Sequence, residues 1–404
     1  MNNVILFDDD TRDHLLPLTY TRPMGELRVG ILKIKEKWEK WMNAEVSYIT
    51  QDYLSEKFPI KITSDNFVIS GSALPSERLC RLIKQLDPNT ALLQNDELIA
   101  ARLGEKQFQR LIREEEIEEL VGEDLYGTPF LRIRNLWDLY LLNDQAIRED
   151  FELLTRDRES APIPASNQVI GAEQVFVEAG AKVECAILNA STGPIYLAAD
   201  SEVMEGSIVR GPLALCESAV LKLGTKIYGA TTIGPHSKVG GEVNNSVIQG
   251  FSNKGHDGFL GNSVLGEWCN LGAGTSNSNL KNNYAEVRLW NYESEKFEST
   301  GQQFCGLVMG DHSKCGINSM LNTGTVVGVS ANLFGSGYPR NFVPSFSWGG
   351  ASGFSTFQLK KAFEVSERVM ARRQQALTEV DRAILSHVFE LSASHRRWEK
   401  IILQ

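Results

Sequence analysis

A chain of 404 residues is long enough for two or three domains and a substantial buried core. Its composition, 42% hydrophobic and 23% charged, is that of an ordinary globular protein. A net charge of −10 argues against a nucleic-acid partner, whose phosphates call for clustered lysine and arginine.

The opening residues MNNVILFDDDTRD lack the apolar run and small-residue site of a secretory leader, and no stretch approaches a membrane span. The cysteines (Cys80, Cys185, Cys216, Cys269, Cys305 and Cys315) form no CxxC pair and no metal-type spacing. The expectation is a reducing, cytoplasmic setting in which most of them are small buried apolar residues.

Residues 1–160 read as α/β. NNVILF is a short apolar strand, GILKIKEKWEKWM has helical periodicity, FVISGSALPS is strand then turn, and EKQFQRLIREEEIEEL is a charged amphipathic helix. Pro162 and Pro164 in SAPIPAS mark a linker.

Residues 165–345 are rich in Gly, Val, Ile, Asn and Ser, and they carry a period of six. Leu221, Ile227, Ile233 and Val239 are evenly spaced, as are Met309, Cys315, Leu321, Val327 and Leu333. Leu265–Gly266 and Leu271–Gly272 add a further step. A helix would not tolerate so much glycine. The period predicts a parallel β-helix, with each hexad one flat side and its aliphatic residue pointing into the stack. In VIQGFSNKGHDGFLGNSVLG, residues 247–266, the beat is lost, which predicts a loop leaving the stack to present functional side chains.

Residues 346–404 read as an aromatic-glycine loop, PSFSWGGASGFS, followed by one helix over 355–402. Ser355 or Thr356 would cap it, and Leu359, Phe363, Val369, Leu377, Val380, Ile384, Val388 and Leu391 would form its apolar stripe.

Of the six histidines, His256 stands in the break between glycines, where a functional side chain is expected. His14, His236, His387 and His395 read as structural or surface residues, and His312 as either a cleft residue or a loop corner. A histidine near neutral pKa suits removal of a proton from an amine, and backbone N–H groups of a glycine-rich turn such as GAGTSN suit an oxyanion. Cys269, beside Trp268, reads as packing rather than as a nucleophile.

The hexad segment resembles the left-handed parallel β-helix acyltransferases, usually trimers with active sites in clefts between subunits. KGHDGFLGNSVLGEWCNLGAGTSNSN narrows the resemblance to the acetyltransferase half of the bifunctional N-acetylglucosamine-1-phosphate uridylyltransferase/glucosamine-1-phosphate N-acetyltransferases. The later VMGDHSKCGINSMLNTGTVVG resembles their archaeal branch.

The resemblance implies that His256 is the catalytic base and that Asn270 and Asn279 lie beside the sugar and its amine. It implies that Lys254 neutralises the sugar phosphate, that Ala273 lies against acetyl-CoA, and that Gly335 and Arg340 lie along the cofactor. Asn270 and Asn279 also suit tight β-helix corners. Phe259 stands where the family has a substrate-side tyrosine, so that hydroxyl is lost. Residues 280–303 are an insertion onto which no family role carries over.

VILFDDDTRDHLLPLTYTRPMGEL resembles the opening of sugar-1-phosphate nucleotidyltransferases, and RIRNLWDLYLLNDQAI a later segment of the same family. The resemblance implies sugar-nucleotide contacts from Arg12 and Arg22. However, Asp8, Asp9 and Asp10 replace the glycine loop and Met24 replaces a lysine, so a nucleotide would be repelled unless Mg²⁺ bridged the three carboxylates.

Together these expectations describe a cytoplasmic homotrimer with an α/β nucleotidyltransferase-like (Rossmann-like) domain, a left-handed β-helix and a C-terminal helix. It would N-acetylate an amino-sugar phosphate, glucosamine-1-phosphate first, from acetyl-CoA. The alternatives are nucleotidyl transfer from UTP or dTTP with the β-helix as scaffold, and a non-catalytic sugar-nucleotide-binding module. Neither nucleic acid nor membrane is expected as a partner.

Overall fold

The computed structural model describes residues 2–112, 121–125, 127 and 129–399. They divide into two compact units: residues 1–15, 22–27 and 32–135 in the first, and residues 16–21, 28–31 and 136–404 in the second.

The first unit is built on a six-stranded sheet of β1 (Asn2–Phe7), β2 (Ala44–Ile49), β3 (Asp65–Ser70), β4 (Thr90–Gln94), β5 (Glu97–Gly104) and β6 (Val121–Asp124), in the order β2-β1-β3-β5-β4-β6. β1 pairs in parallel with β2 and β3, while β5 runs antiparallel to β3 and β4. Helix α1 (Ile34–Met42) follows from its spacing: Ile34, Trp38 and Met42 share one buried face. The Glu36 carboxylate accepts from the Lys33 N–H at its start, and Asn43, in the left-handed region at φ 48°, ends it. Of the charged helix predicted over 105–120, Glu105–Ile112 is helical, and the remainder lies outside the described residues.

The second unit is the predicted parallel β-helix. Three sheets of parallel strands, of unequal length and with one antiparallel strand ending the longest, take short strands from successive coils, beginning at Gln168–Ile170, Val175–Val177 and Lys182–Val183. Strands stack in register, so Val183, Val203, Leu221 and Val239 form one inward column and continue into the core at Leu271, Cys315 and Leu333.

The segment 247–266 stays within the stack instead of leaving it as a loop, with steps that depart from six by a residue at its edges. The inward steps Ile248, Lys254, Leu260 and Leu265 are six, six and five residues, and the short step lies upstream, from Val239 to Val243. What breaks the pattern is chemistry: Lys254 pairs with Val239 and occupies an inward position that is aliphatic in the neighbouring coils.

One corner of the coil carries a ladder of rings in the left-handed region: His236, Phe251, Trp268 and His312, at φ 52–62°. Successive rings stack at 5.0, 4.3 and 6.4 Å, which gives His236 and His312 a packing role.

Helix Asn143–Thr155 packs with this unit, although the sequence groups it with the first region. Its buried Asn143 and Asp150 accept the N–H groups of Gly30 and Ile31, and Gln249 brackets Arg28 through both its N–H and its carbonyl.

The C-terminal region differs from expectation. The aromatic-glycine segment is a hairpin of Ser347–Gly350 with Gly353–Thr356, so Ser355 and Thr356 are strand residues. Two helices follow, Leu359–Ala371 and Glu379–Leu391, because Thr378 starts a second helix: its hydroxyl accepts the Asp381 N–H, and the Asp381 carboxylate accepts the Thr378 N–H. Leu391, assigned to the stripe, is 49% exposed. The insertion forms an antiparallel hairpin, Arg288–Asn291 with Lys296–Ser299.

Candidate functional site

In the first unit the parallel strands β1 and β3 bring Asp8, Asp9, Ser70 and Ser72 together at their carboxyl ends, where open α/β sheets bind ligands. Asp8 accepts the Met24 N–H at 2.8 Å and the Thr50 hydroxyl at 2.6 Å; burial raises its pKa to about 6. Asp9 accepts from the hydroxyls of Thr11, Ser70 and Ser72 and lies 3.3 Å from Arg132. Burial alone would raise Asp9, but the hydroxyl and backbone donors outweigh it and hold it low. Asp10 is exposed.

The three carboxylates therefore do not form one cluster, and no group of three potential metal-ligating side chains occurs among the described residues. Of the three residues expected to hold Mg²⁺, Asp8 and Asp9 stand at the strand ends and Asp10 is exposed. Arg12 is buried, donating to Asp13 at 2.8 Å and to the Tyr53 hydroxyl at 2.9 Å; Arg22 is also buried. Ser70, Ser72 and Arg132 escape sequence reading, although serines ending a strand beside β1, in FVISGS, are the signal that points to them.

In the second unit, residues 255–258 form the turn from one sheet to the next, between strands Asn253–Lys254 and Phe259–Gly261. His256 is exposed on that turn. Glycine is required around it. A Cβ on Gly258, at φ 120°, would lie 2.0 Å from the Thr275 carbonyl oxygen, and one on Gly241 would meet the Asp257 Cα at 2.8 Å. The Gly274 N–H donates to the Asp257 carbonyl and the Asn318 N–H to the Ala273 carbonyl, so the turns of successive coils are hydrogen-bonded along one edge. Ala273 thus shares the edge with His256, and Gly335 follows the same side two coils on, just beyond strand Asn332–Leu333.

Lys254 is placed differently from expectation. It is 2% exposed and points into the coil, where its Nζ donates to the carbonyls of Gly240 and His256, each at 2.8 Å. It is therefore a positioning residue for the turn and not a phosphate ligand. Burial lowers its pKa to about 8.

Phe259 and Asn279 meet over Gly261. A Cβ there would lie 2.4 Å from the phenyl Cζ and 2.7 Å from the Asn279 Nδ2. Asn279 also donates to the Asn262 side chain at 2.8 Å. Asn270 stands in a different sheet, in register with Asn253 and Lys314, so the turn carrying His256 lies between it and the Phe259–Asn279 pair. Arg340 lines a separate cavity of about 900 Å³. Cys269 is buried and its thiol is pushed up to about 12 by burial, which removes it as a nucleophile.

Residues 4–159 match the family described as sugar nucleotidyl transferase. The chain is similar to the bifunctional sugar-1-phosphate nucleotidylyltransferase/acetyltransferase of Sulfurisphaera tokodaii, 28% identical over 144 residues covering 35% of each protein. It is also similar to the bifunctional protein GlmU of Methanocaldococcus jannaschii, 34% identical over 87 residues that cover 22% of this chain and 21% of the relative. A third relative is GlmU of Synechococcus elongatus, 28% identical over 153 residues covering 36% and 29%. The matches span 21–35% of these relatives' own length. A solved UDP-N-acetylglucosamine acyltransferase of Francisella novicida aligns at 11% identity with a TM-score of 0.28, covering 54% of this chain and 90% of its own. Over these partial lengths the chain is similar to bifunctional nucleotidyltransferase/acetyltransferases, the resemblance its motifs carry.

Proposed function

We propose that the β-helix unit transfers an acetyl group from acetyl-CoA to the amine of an amino-sugar phosphate, with glucosamine-1-phosphate as the first candidate, in a route to nucleotide sugars. The observation that carries this reading is the exposed His256 on a glycine-walled turn, held from inside by Lys254 and sharing its edge with Ala273.

His256 would take a proton from the ammonium and free its lone pair for attack on the thioester carbonyl. Backbone N–H groups along the glycine edge would stabilise the oxyanion, and the thiolate would leave with a proton. Ala273 and Gly335 would line the acyl-CoA path, with Arg340 nearer its phosphates. Phe259 and Asn279 would hold the sugar from one face, and Asn270 from the other.

Because those faces diverge from the turn, a complete pocket needs a second subunit, which supports a homotrimer. Ile170, Ile208 and Ile317 are 52%, 46% and 72% exposed on this side of the coil, as a subunit contact requires. We place the protein in the cytoplasm, where acetyl-CoA and free thiols coexist; no helix among the described residues is long and apolar enough to cross a membrane.

The test is release of free thiol from acetyl-CoA in the presence of glucosamine-1-phosphate, with His256→Ala alongside. Absence of thiol release by the wild type, or an undiminished rate in the variant, overturns the reading. The match over residues 4–159 favours a second activity in the first unit, nucleotidyl transfer to a sugar-1-phosphate with Arg12 and Arg22 near the phosphates. Pyrophosphate release from UTP or dTTP tests it separately.

A further inference from the structure

Strand residues in the sheet that begins at Lys182–Val183 alternate between the coil interior and its outer face. Leu221 and Val239 are buried inside, so Val220, Lys222 and Lys238 stand on the outer face. Val220 is in register with Lys238, and Lys238 with Asn253. The Lys222 N–H donates to the Val239 carbonyl at 2.7 Å, which makes Lys222 and Lys238 neighbours on adjacent coils.

The C-terminal helix Leu359–Ala371 brings two more cations to this face. Its Ser366 hydroxyl lies 3.3 Å from the His312 Nδ1. Just past its end, the Arg373 guanidinium donates to the Asn253 side-chain oxygen at 3.3 Å. Arg373 therefore sits over the register position next to Lys238, with Arg372 before it. Burial first, and then the charges of Arg373, Lys222 and Arg372, lower the Lys238 pKa. Glu202, beside Val220 in the same column, opposes them, and its effect is the smallest.

None of these four cations has an ion-pair partner among the described residues. Acids are not scarce, since the chain has 51 acidic and 41 basic residues. Like charges set side by side on a sheet are destabilising, and a multivalent anion between them reverses the sign. The place is open to one: Arg372 is exposed, and Lys222, Lys238 and Arg373 are half-buried. Guanidinium forks pair with two oxygens at once and ammonium groups add point charges, so the set suits a doubly charged oxyanion.

We propose that Lys222, Lys238, Arg372 and Arg373 form a binding site for a phosphate dianion, which bridges the C-terminal helix to the outer face of this sheet. Two sources share this chemistry: free inorganic phosphate and the phosphate group of a phosphomonoester. A bound anion holds Arg373 against Asn253, in the strand that leads into the His256 turn. The site uses no residue assigned to acetyl transfer, so it neither requires nor replaces that reading.

The experiment is calorimetric titration of the full chain with sodium phosphate and with glycerol phosphate, against sodium chloride at matched ionic strength, with thermal melts alongside. Saturable binding is expected, and Lys238→Gln and Arg373→Gln should each weaken it about tenfold. Arg372→Gln, at an exposed position, should weaken it by a smaller factor without disturbing the fold. Tighter binding of glycerol phosphate identifies a phosphomonoester as the source, and tighter binding of phosphate the free ion. In the melts the order should reverse. Without phosphate Lys238→Gln should melt above the wild type, because one repelling charge is gone; at saturating phosphate it should melt below it. A patch with a merely structural role gives no such reversal.

Three outcomes overturn the proposal: no saturable binding of either probe, unchanged binding in the Lys238→Gln/Arg373→Gln double variant, or stabilisation by chloride equal to that by phosphate. None of these readouts uses acetyl-CoA or turnover, so failure here is distinguishable from failure of the acetyltransferase reading.

Discussion

The Nζ of Lys254 lies 2.8 Å from the carbonyl oxygen of His256, reaching it from inside the coil. The same Nζ holds the Gly240 carbonyl of the preceding coil, so one buried cation ties the turn to the stack beneath it. Lys254→Met, which fills the column with an apolar side chain of similar length, should preserve the fold and reduce kcat for acetyl transfer more than it changes KM. Steady-state kinetics beside circular dichroism check this.

The same lysine makes stability depend on pH. Its folded pKa, near 8, lies below the ordinary value of 10.5, and so does that of Lys314, lowered by burial to about 8. Between about pH 8 and 10.5 the unfolded chain binds more protons than the folded one, so stability should rise with pH across that window. The gain is on the order of 1–3 kcal/mol per lysine, and the slope should be shallower in Lys254→Met. Urea titrations of the wild type and the variant at pH 8, 9 and 10 measure it.

Asp8 should act in the opposite sense at acid pH. Its pKa is raised to about 6, so its stabilising effect is complete below pH 4 and is lost as pH rises through 6. Asp8→Asn keeps an acceptor for the Met24 N–H and removes the titration. The variant should gain on the wild type between pH 4 and 7 by on the order of 1–3 kcal/mol, as read from paired melts.

Glycine positions around His256 should divide sharply. Gly258→Ala forces a Cβ against the Thr275 carbonyl oxygen at a φ of 120°, and should cost roughly 1–3 kcal/mol while depressing acetyl transfer. Gly255→Ala meets nothing within 4 Å, and should leave both stability and rate close to wild type. Equal effects from the two substitutions would contradict the tight fit of the turn.

His256→Ala should lower the acetyl-transfer rate by about 10² to 10⁴ with an unchanged melting temperature, because the side chain is exposed. Thiol labelling offers an independent check on the fold. Cys185 is exposed, whereas Cys80, Cys216, Cys269, Cys305 and Cys315 are buried. One fast-reacting thiol is expected in the native protein and six after unfolding.

The sequence by itself determined the scaffold. The six-residue spacing of Leu221, Ile227, Ile233 and Val239, in a segment too rich in glycine for a helix, points to successive flat sides of one coil, and all four are buried. It also marked His256, because glycines flanking a polar residue announce a turn that other residues cannot make.

Tertiary structure decided what neighbouring coils and strands do to each side chain. Lys254 reads as a ligand in sequence, but its register with Val239 sends it into the core. Asp8, Asp9 and Asp10 read as one acidic cluster, but strand pleating and the turn after β1 give them three surroundings. The cluster of Lys222, Lys238 and Arg373 joins residues more than a hundred positions apart. Period and spacing are local properties that a chain displays along its length. Which charges are buried, and what they face, depends on segments brought together only by folding.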